Sequence, residues 1–177
     1  PAMLFSVGLV ATFIAGGLTG IILADSALDI NVHDTYFVVA HFHVVMGMSA
    51  IFGMFAGVYH WFPKITGRYM NDTLGKIHFW PSLLFMNVIF GPMLLQGMAG
   101  FHRRWYDGGK AFEQTTQGLL WSNEVISYGA WGLALAQIAF IVNVWISIKG
   151  GRKVTSDNPW DATTLEWATP TPPGHGN

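Results

Sequence analysis

Two histidines lie one residue apart in the stretch VVAHFHVVMG, Val38–Gly47, where every other residue is apolar or glycine. No Asp, Glu, Lys or Arg occurs between Thr35 and Pro63, and a helix needs roughly 20 such residues to cross a bilayer. An imidazole in hydrocarbon needs a polar partner, because an unsatisfied polar group there is costly. The stretch therefore predicts a transmembrane helix that carries two polar groups in need of partners.

The composition extends this prediction to the whole chain. Of the 177 residues, 51% are hydrophobic and only 11% are charged, against about 25% charged in a soluble domain. Three more charge-free runs occur, Pro1–Ala24, Ile77–His102 and Val125–Ile148. We expect an all-α, polytopic transmembrane helix bundle over residues 1–149, with helices at about 3–24, 36–62, 77–101 and 125–148. The polar, proline-rich residues 150–177 are expected to form a tail outside the membrane.

Charge and cysteine content exclude several classes of protein. The net charge is −1, which gives no basic surface for a nucleic acid, and the absence of cysteine excludes disulfides and thiolate metal sites. The chain starts at Pro1 inside an apolar run with no basic segment before it, so no secretory signal is visible. This start suggests a piece of a longer chain or a processed product.

The distribution of basic residues predicts the orientation of the helices. Six of them fall on one side of the predicted membrane, at Lys64, Arg68, Lys76, Lys149, Arg152 and Lys153, and three on the other, at Arg103, Arg104 and Lys110. Basic loops favour the inner side, so we expect the C-terminal tail in the cytoplasm or matrix.

The spacing of the two histidines limits what they can bind. Successive residues of an α-helix are rotated by about 100°, so His41 and His43 are expected to point about 200° apart. They cannot hold one metal ion together, but each ring can serve a separate partner. Two haem irons, one on each face with Phe42 between the ligands, would satisfy both rings. The alternative is two structural histidines that are hydrogen-bonded to neighbouring helices.

Other polar residues have an ordinary interpretation when each is taken alone. An arginine pair at a helix end, such as Arg103–Arg104, is also typical of headgroup anchoring, and a loop pair such as His33–Asp34 is usually just solvated. His78 and Trp80 are expected in an interfacial aromatic belt. The amides of Asn87, Gln96 and Asn143 are expected to form interhelical hydrogen bonds.

Three runs of sequence together resemble a known family. They are LDINVHDTYFVVAHFHVVMGMSAIFGMFAGVYHWFPKITGRYMNDTLGKIHFW (28–80), GMAGFHRRWYDGG (97–109) and NPWDATTLEWATPTPP (158–173). They are similar to subunit I of the haem–copper terminal oxidases, in particular the cytochrome c oxidases. The resemblance covers essentially the whole chain and implies that it corresponds to the last four of twelve transmembrane helices.

The resemblance implies a haem-ligating role for both histidines. His41 matches the axial ligand of the high-spin haem, haem a3, whose iron faces a copper ion. His43 matches one of two axial ligands of the low-spin haem, haem a. The second low-spin ligand and all three copper ligands match no residue of this chain. Because His41 is about five residues inside its predicted helix, both irons would lie roughly 8 Å below the outer end.

The resemblance also assigns residues near the outer surface. His33 and Asp34 match magnesium ligands, and Arg103 and Arg104 match a pair that binds haem propionates. Asp29 matches a carboxylic acid beside a propionate of the high-spin haem. Guanidinium groups suit this role because they stay charged and bind carboxylates bidentately.

The implied activity is reduction of oxygen to water with electrons from cytochrome c, coupled to proton translocation. The implied partners are the remaining N-terminal part of subunit I, oxidase subunits II and III, cytochrome c and membrane lipid, in a bacterial inner membrane or the mitochondrial inner membrane. Two alternatives remain open at this point. One is a quinol oxidase of the same superfamily, and the other is a non-catalytic membrane anchor or assembly subunit.

Overall fold

The computed structural model describes residues 1–112 and 118–174, and these residues form helices and irregular segments without a named strand. The all-α prediction is confirmed. The α-helices are α1 (Ala2–Ala24), α2 (Ser26–Val32), α3 (Tyr36–Phe42), α4 (Ser49–Thr66), α5 (Asp72–Met98) and α6 (Trp121–Gly150). A π-helical segment, His43–Met48, joins α3 to α4, and short 3₁₀ turns occur at Lys110–Phe112 and Leu165–Ala168.

Four helices are long and apolar enough to cross a membrane, as the sequence predicted. They are α1, the continuous span Tyr36–Thr66, α5 and α6. The helices extend beyond the charge-free runs, because charged residues at their ends stay helical. Helix α5 begins at Asp72 rather than near residue 77, since the Asn71 side chain accepts a hydrogen bond from the Leu74 amide (3.0 Å). Helix α4 continues to Thr66, where Gly67 ends it with φ +68°.

The larger buried cluster of the bundle is rich in aromatic residues and includes Phe5 of α1. The Phe5 ring stacks on Tyr59 of α4, with 5.5 Å between centroids, and meets Phe79 of α5 edge-on at 5.0 Å. His78 belongs to this cluster, so the prediction that it lies in an interfacial belt is wrong. It is fully buried and is hydrogen-bonded to the Tyr59 hydroxyl (3.2 Å) and to Gln137 Oε1 (3.0 Å).

Two of the three amides behave as the sequence predicted. Asn143 of α6 donates to the Asn71 carbonyl and accepts from the Asn71 amide, both at 2.9 Å, which ties α6 to the start of α5. Gln96 of α5 donates to Ser122 and Asn123 at the start of α6. The prediction for Asn87 is wrong, because its amide donates to Leu83 of its own helix (2.8 Å).

The polar tail packs on the end of α4 rather than extending away from it. Lys64 is only 5% exposed, and its ammonium group donates to the carbonyls of Asp157 and Thr169 and to the Thr171 hydroxyl. Trp160 donates to the His60 carbonyl (2.9 Å) and stacks on the His60 ring. The three acceptors satisfy the hydrogen-bonding capacity of the buried Lys64 ammonium group, and none of them is a carboxylate.

Helices α3 and α5 approach each other closely at one glycine. A Cβ on Gly97 would lie 2.0 Å from the Phe37 backbone nitrogen, so only glycine fits there without a backbone shift. We expect Gly97→Ala to destabilise the assembled protein by about 1–3 kcal/mol through overpacking. The measurement is the thermal unfolding midpoint of the purified complex. Gly17→Ala is the control, since its Cβ would meet no atom within 4 Å; equal midpoints for the two variants would contradict the close approach.

Candidate functional site

The imidazole of His41 is held by α1. Its Nδ1 lies 2.9 Å from the Thr19 hydroxyl and 3.0 Å from the Gly16 carbonyl oxygen. The Thr19 hydroxyl itself donates to the Gly16 carbonyl (2.7 Å), so both neighbours of Nδ1 act as acceptors. Nδ1 must therefore carry the proton, and Nε2 keeps its lone pair.

The space beside His41 is kept open by a second glycine of α1. A Cβ on Gly20 would lie 3.0 Å from His41 Cε1 and 3.7 Å from Nε2. It would also lie 3.8 Å from Nδ1, so a larger residue would crowd the ring at Cε1, between its two nitrogens.

His43 also carries its proton on Nδ1, but the acceptor lies on a different helix from the acceptors of His41. Its Nδ1 donates to the Val39 carbonyl of its own helix (2.8 Å), and its ring stacks on Phe90 of α5 with 5.4 Å between centroids. Within residues 1–112 and 118–174, no hydrogen bond reaches Nε2 of either His41 or His43. A histidine that donates Nδ1–H to a carbonyl and offers Nε2 has the usual arrangement of a metal ligand.

The π-helical segment begins at His43, which the sequence pattern did not predict. Single π-helical turns inside α-helices often coincide with functional sites. The segment ends at Met48, and the hydroxyl of the next residue, Ser49, donates to the Val44 carbonyl (3.1 Å) and is 2.9 Å from the Thr12 hydroxyl of α1. The two imidazoles still contact different helices, His41 against α1 and His43 against α5, as their expected divergence requires.

The segments before α3 and after α5 pair at the same end of the bundle. The Tyr36 amide donates to the Phe101 carbonyl (2.9 Å), and the Arg103 amide donates to the Asp34 carbonyl (3.0 Å). Arg103 also forms an ion pair with the Asp34 carboxylate. This pairing brings the predicted magnesium residues His33 and Asp34 together with Arg103, one of the predicted propionate residues, although 69 positions separate Asp34 from Arg103 in the sequence.

Electrostatics in this cluster favour a charged carboxylate. The Arg103 guanidinium lowers the pKa of the Asp34 carboxyl, and His33 adds a smaller effect in the same direction. His33 Nδ1 lies 3.7 Å from Asp34 Oδ2. In the part of the chain described, no three His, Cys, Asp or Glu side chains come together as a metal site. The magnesium assignment of His33 and Asp34 therefore remains a prediction that needs further ligands.

Arg104 and Asp29 are not joined to this cluster by side-chain contacts among the described residues. Arg104 has φ +70° and Asp34 has φ +56°, a left-handed conformation that is uncommon for residues other than glycine. Such backbone is often found at functional sites. Asp29 lies in α2, where its carbonyl accepts the His33 amide (2.7 Å).

Sequence reasoning missed Thr19, Gly20 and Phe90 as neighbours of the histidines. Each lies in an apolar run on another helix, so no local pattern links it to the histidine pair. It also missed the Asp34–Arg103 ion pair, for the same reason. The only features of the sequence that could have pointed to the contacts of His41 were a threonine and closely spaced glycines within α1.

These features are four helices that are long and apolar enough to cross a membrane, and two imidazoles that contact different helices. Residues 1–147 match the family described as "Cytochrome C and Quinol oxidase polypeptide I". The chain therefore belongs to the family of haem–copper oxidase subunit I.

Curated relatives agree with this assignment. The chain is 47% identical to the alternative cytochrome c oxidase subunit 1 of Bradyrhizobium diazoefficiens, over 99% of this chain and 29% of that protein. It is 44% identical to cytochrome c oxidase subunit 1 of Thermostichus vulcanus and 45% identical to that of a Synechocystis species, in each case over 97% of this chain and 30% of the relative. The chain thus spans about 30% of the length of the relatives it matches.

The Asp34–Arg103 ion pair gives a prediction for the outer loop. We expect Asp34→Asn and Arg103→Gln each to lower the thermal midpoint of the complex at neutral pH by about 1–2 °C, since an exposed pair contributes little. The double variant should lose less than the sum of the two single losses, because each single variant already lacks the shared ion pair. Additive losses, measured by thermal unfolding of the three complexes, would contradict the pairing.

Proposed function

We propose that this chain is the C-terminal segment of the catalytic subunit of a cytochrome c oxidase, which reduces oxygen to water with electrons from cytochrome c and couples this to proton translocation. The proposal rests above all on the two imidazoles. Both rings donate Nδ1–H to protein acceptors, and Nε2 of each has no hydrogen bond within the described residues. The names of the relatives support the choice of cytochrome c as the electron donor.

His41 and His43 would hold the high-spin haem a3 and the low-spin haem a, respectively, through Nε2. The bound haems, with a copper ion held by residues outside this chain, supply the electron transfer and the oxygen chemistry. Thr19 and the Gly16 carbonyl orient the His41 ring and make its Nε2 a better donor, because a hydrogen bond from Nδ1–H increases the basicity of the ring. The Val39 carbonyl does the same for His43.

The outer cluster would neutralise and orient the haem propionates. Arg103 uses one nitrogen for Asp34, and a guanidinium has further N–H donors that remain for a propionate. Arg104 and Asp29 are the other proposed propionate neighbours. His33 and Asp34 would hold magnesium together with ligands from elsewhere in the complex, since magnesium usually binds carboxylates and keeps several waters.

The proposed assembly includes the N-terminal part of subunit I, subunits II and III, and membrane lipid, in the bacterial inner membrane or the mitochondrial inner membrane. The segment alone would not be active, because it lacks the copper ligands and the second low-spin ligand. The inner side of the membrane is the proposed location of the C-terminal tail.

Replacement of each histidine should remove a different haem from the complete complex. We expect His41→Ala to abolish oxygen reduction and the high-spin absorption bands while the low-spin bands remain. His43→Ala should remove the low-spin bands. Absorption spectra and haem quantification of the purified complexes provide the measurement.

His60→Phe is the matched control for these variants. It keeps an aromatic ring against Trp160 at the far end of the same span and should retain both haems. If His41→Ala kept a full high-spin spectrum and turnover, the ligand assignment would be wrong.

The electron donor is tested separately with the unmodified complex. We expect oxygen uptake with reduced cytochrome c and little uptake with a quinol, since the relatives carry cytochrome c in their names. Rapid quinol oxidation with no activity toward cytochrome c would identify the quinol oxidase alternative. A complex without bound haem would instead support the non-catalytic anchor.

A further inference from the structure

The segment 99–109 follows α5 and carries both arginines that are proposed for the haem propionates, so we call it the arginine loop. Its first part is bound to the last turn of α5, where the Gln96 carbonyl accepts the Phe101 amide (3.0 Å). Its last part is bound to the first turn of α6, where the Asn123 side-chain amide donates to the Gly108 carbonyl (2.9 Å). Both arginines lie between these two attachments.

A bond between two side-chain amides connects the two attachments. Gln96 is 1% exposed, and its Nε2 donates to Asn123 Oδ1 (2.7 Å) and to the Ser122 hydroxyl (2.6 Å). The Asn123 nitrogen faces the Gly108 carbonyl, so its oxygen is the atom left to accept from Gln96. A directed series of hydrogen bonds therefore runs from Gln96 through Asn123 to the arginine loop. We call Gln96 and Asn123 the amide pair.

The backbone of the arginine loop depends on contacts of this kind. Arg104 has φ +70°, a left-handed conformation that costs free energy in any residue other than glycine. Such a conformation persists where surrounding contacts enforce it. The segment before α3 supplies one contact, since the Asp34 carbonyl accepts the Arg103 amide (3.0 Å). The amide pair supplies the others, from α5 and from α6.

Helices α5 and α6 are also joined towards their other ends. There the Asn143 side chain donates to the Asn71 carbonyl and accepts from the Asn71 amide, both at 2.9 Å. Between the two amide contacts the helices pack closely, since a Cβ on Gly132 would lie 2.4 Å from Phe85 Cε1. Both contacts therefore join the same two helices, but of the two it is the amide pair that continues into the arginine loop.

The function of the amide pair follows from this connection. We propose that Gln96 and Asn123 are positioning residues, which hold the arginine loop so that its guanidinium groups meet the haem propionates. The identity of that anion rests on the proposed function. Guanidinium donors that are fixed in advance need no reorganisation when they bind a carboxylate. Reduction adds negative charge to a haem, so a fixed guanidinium beside its carboxylates favours the reduced state.

Hydrogen–deuterium exchange of the complete complex tests whether the amide pair holds the loop. Gln96→Met removes both N–H donors and keeps the length of the side chain. We expect the amides of residues 99–109 to exchange about fivefold faster in this variant, the factor that corresponds to the net contribution of one hydrogen bond. Asn123→Ser, which removes the donor to Gly108, should have the same effect and replaces Gln96→Met if that complex does not assemble.

Asn143→Leu is the matched control, because it replaces a buried amide of the same helix pair by an apolar side chain of similar size. It should leave exchange in residues 99–109 unchanged, since Asn143 contacts Asn71 and not the arginine loop. Equal acceleration in Asn143→Leu and Gln96→Met would show a general loosening of the two helices and would overturn the proposal. Unchanged exchange in Gln96→Met would overturn it as well.

The reduction potentials of the haems test whether the loop positions the arginines. We expect Arg103→Gln and Gln96→Met each to lower the reduction equilibrium constant of a haem about two- to fivefold, the effect of one partly exposed charge pair. Asn143→Leu should leave this constant unchanged. Redox titration of the complete complexes, followed by absorption, provides the measurement, and the absorption bands of both haems show that each variant is assembled.

The two measurements separate this proposal from the proposed function. Shifts in Arg103→Gln and Gln96→Met that are absent from Asn143→Leu support the positioning role. A shift in Arg103→Gln without one in Gln96→Met would overturn that role and leave the propionate role of Arg103 intact. Faster exchange in Gln96→Met, with no shift of potential in either variant, would refute the propionate role itself and the positioning of the arginines with it.

Discussion

The need to satisfy polar groups inside an apolar bundle is the constraint on which the rest of this structure depends. The Nδ1 atoms of His41 and His43 donate to protein acceptors, two for His41 and one for His43, which fixes the ring orientation and the tautomer. Among residues 1–112 and 118–174, Nε2 of each ring has no hydrogen bond. A single physical requirement therefore fixes the orientation of both rings through uncharged acceptors.

The same constraint explains the polar contacts elsewhere in the bundle. His78 is fully buried between the Tyr59 hydroxyl and Gln137, and Gln96 joins α5 to the start of α6. At the other end, Lys64 is enclosed by carbonyl groups of the tail. In each case neutral acceptors or donors replace water. These bonds also fix how the helices meet, because apolar side chains alone give little directional preference.

Several departures from regular geometry and several close contacts lie around the proposed haem site. The π-helical segment begins at His43, and the left-handed backbone of Asp34 and Arg104 lies on the two paired segments above it. Gly20 leaves open space at the His41 ring, and Gly97 allows α5 to approach α3. Local departures from regular geometry of this kind persist when surrounding contacts enforce them. Here the antiparallel pairing of the segments around Thr35 and His102 provides such contacts.

The sequence by itself determined the number of long helices and their apolar character, because hydrocarbon excludes charged side chains over the length of a span. It also predicted His41 and His43 as candidate ligands, since their spacing and surroundings are local features. The ends of α4 and α5 could not be read from charge, because Lys64, Asp72 and Lys76 remain helical at the interface. Only the tertiary structure decided which groups meet. The contacts of Thr19 with His41, Phe90 with His43 and Arg103 with Asp34 each join separate helices or loops, and no period along one chain segment encodes such a contact.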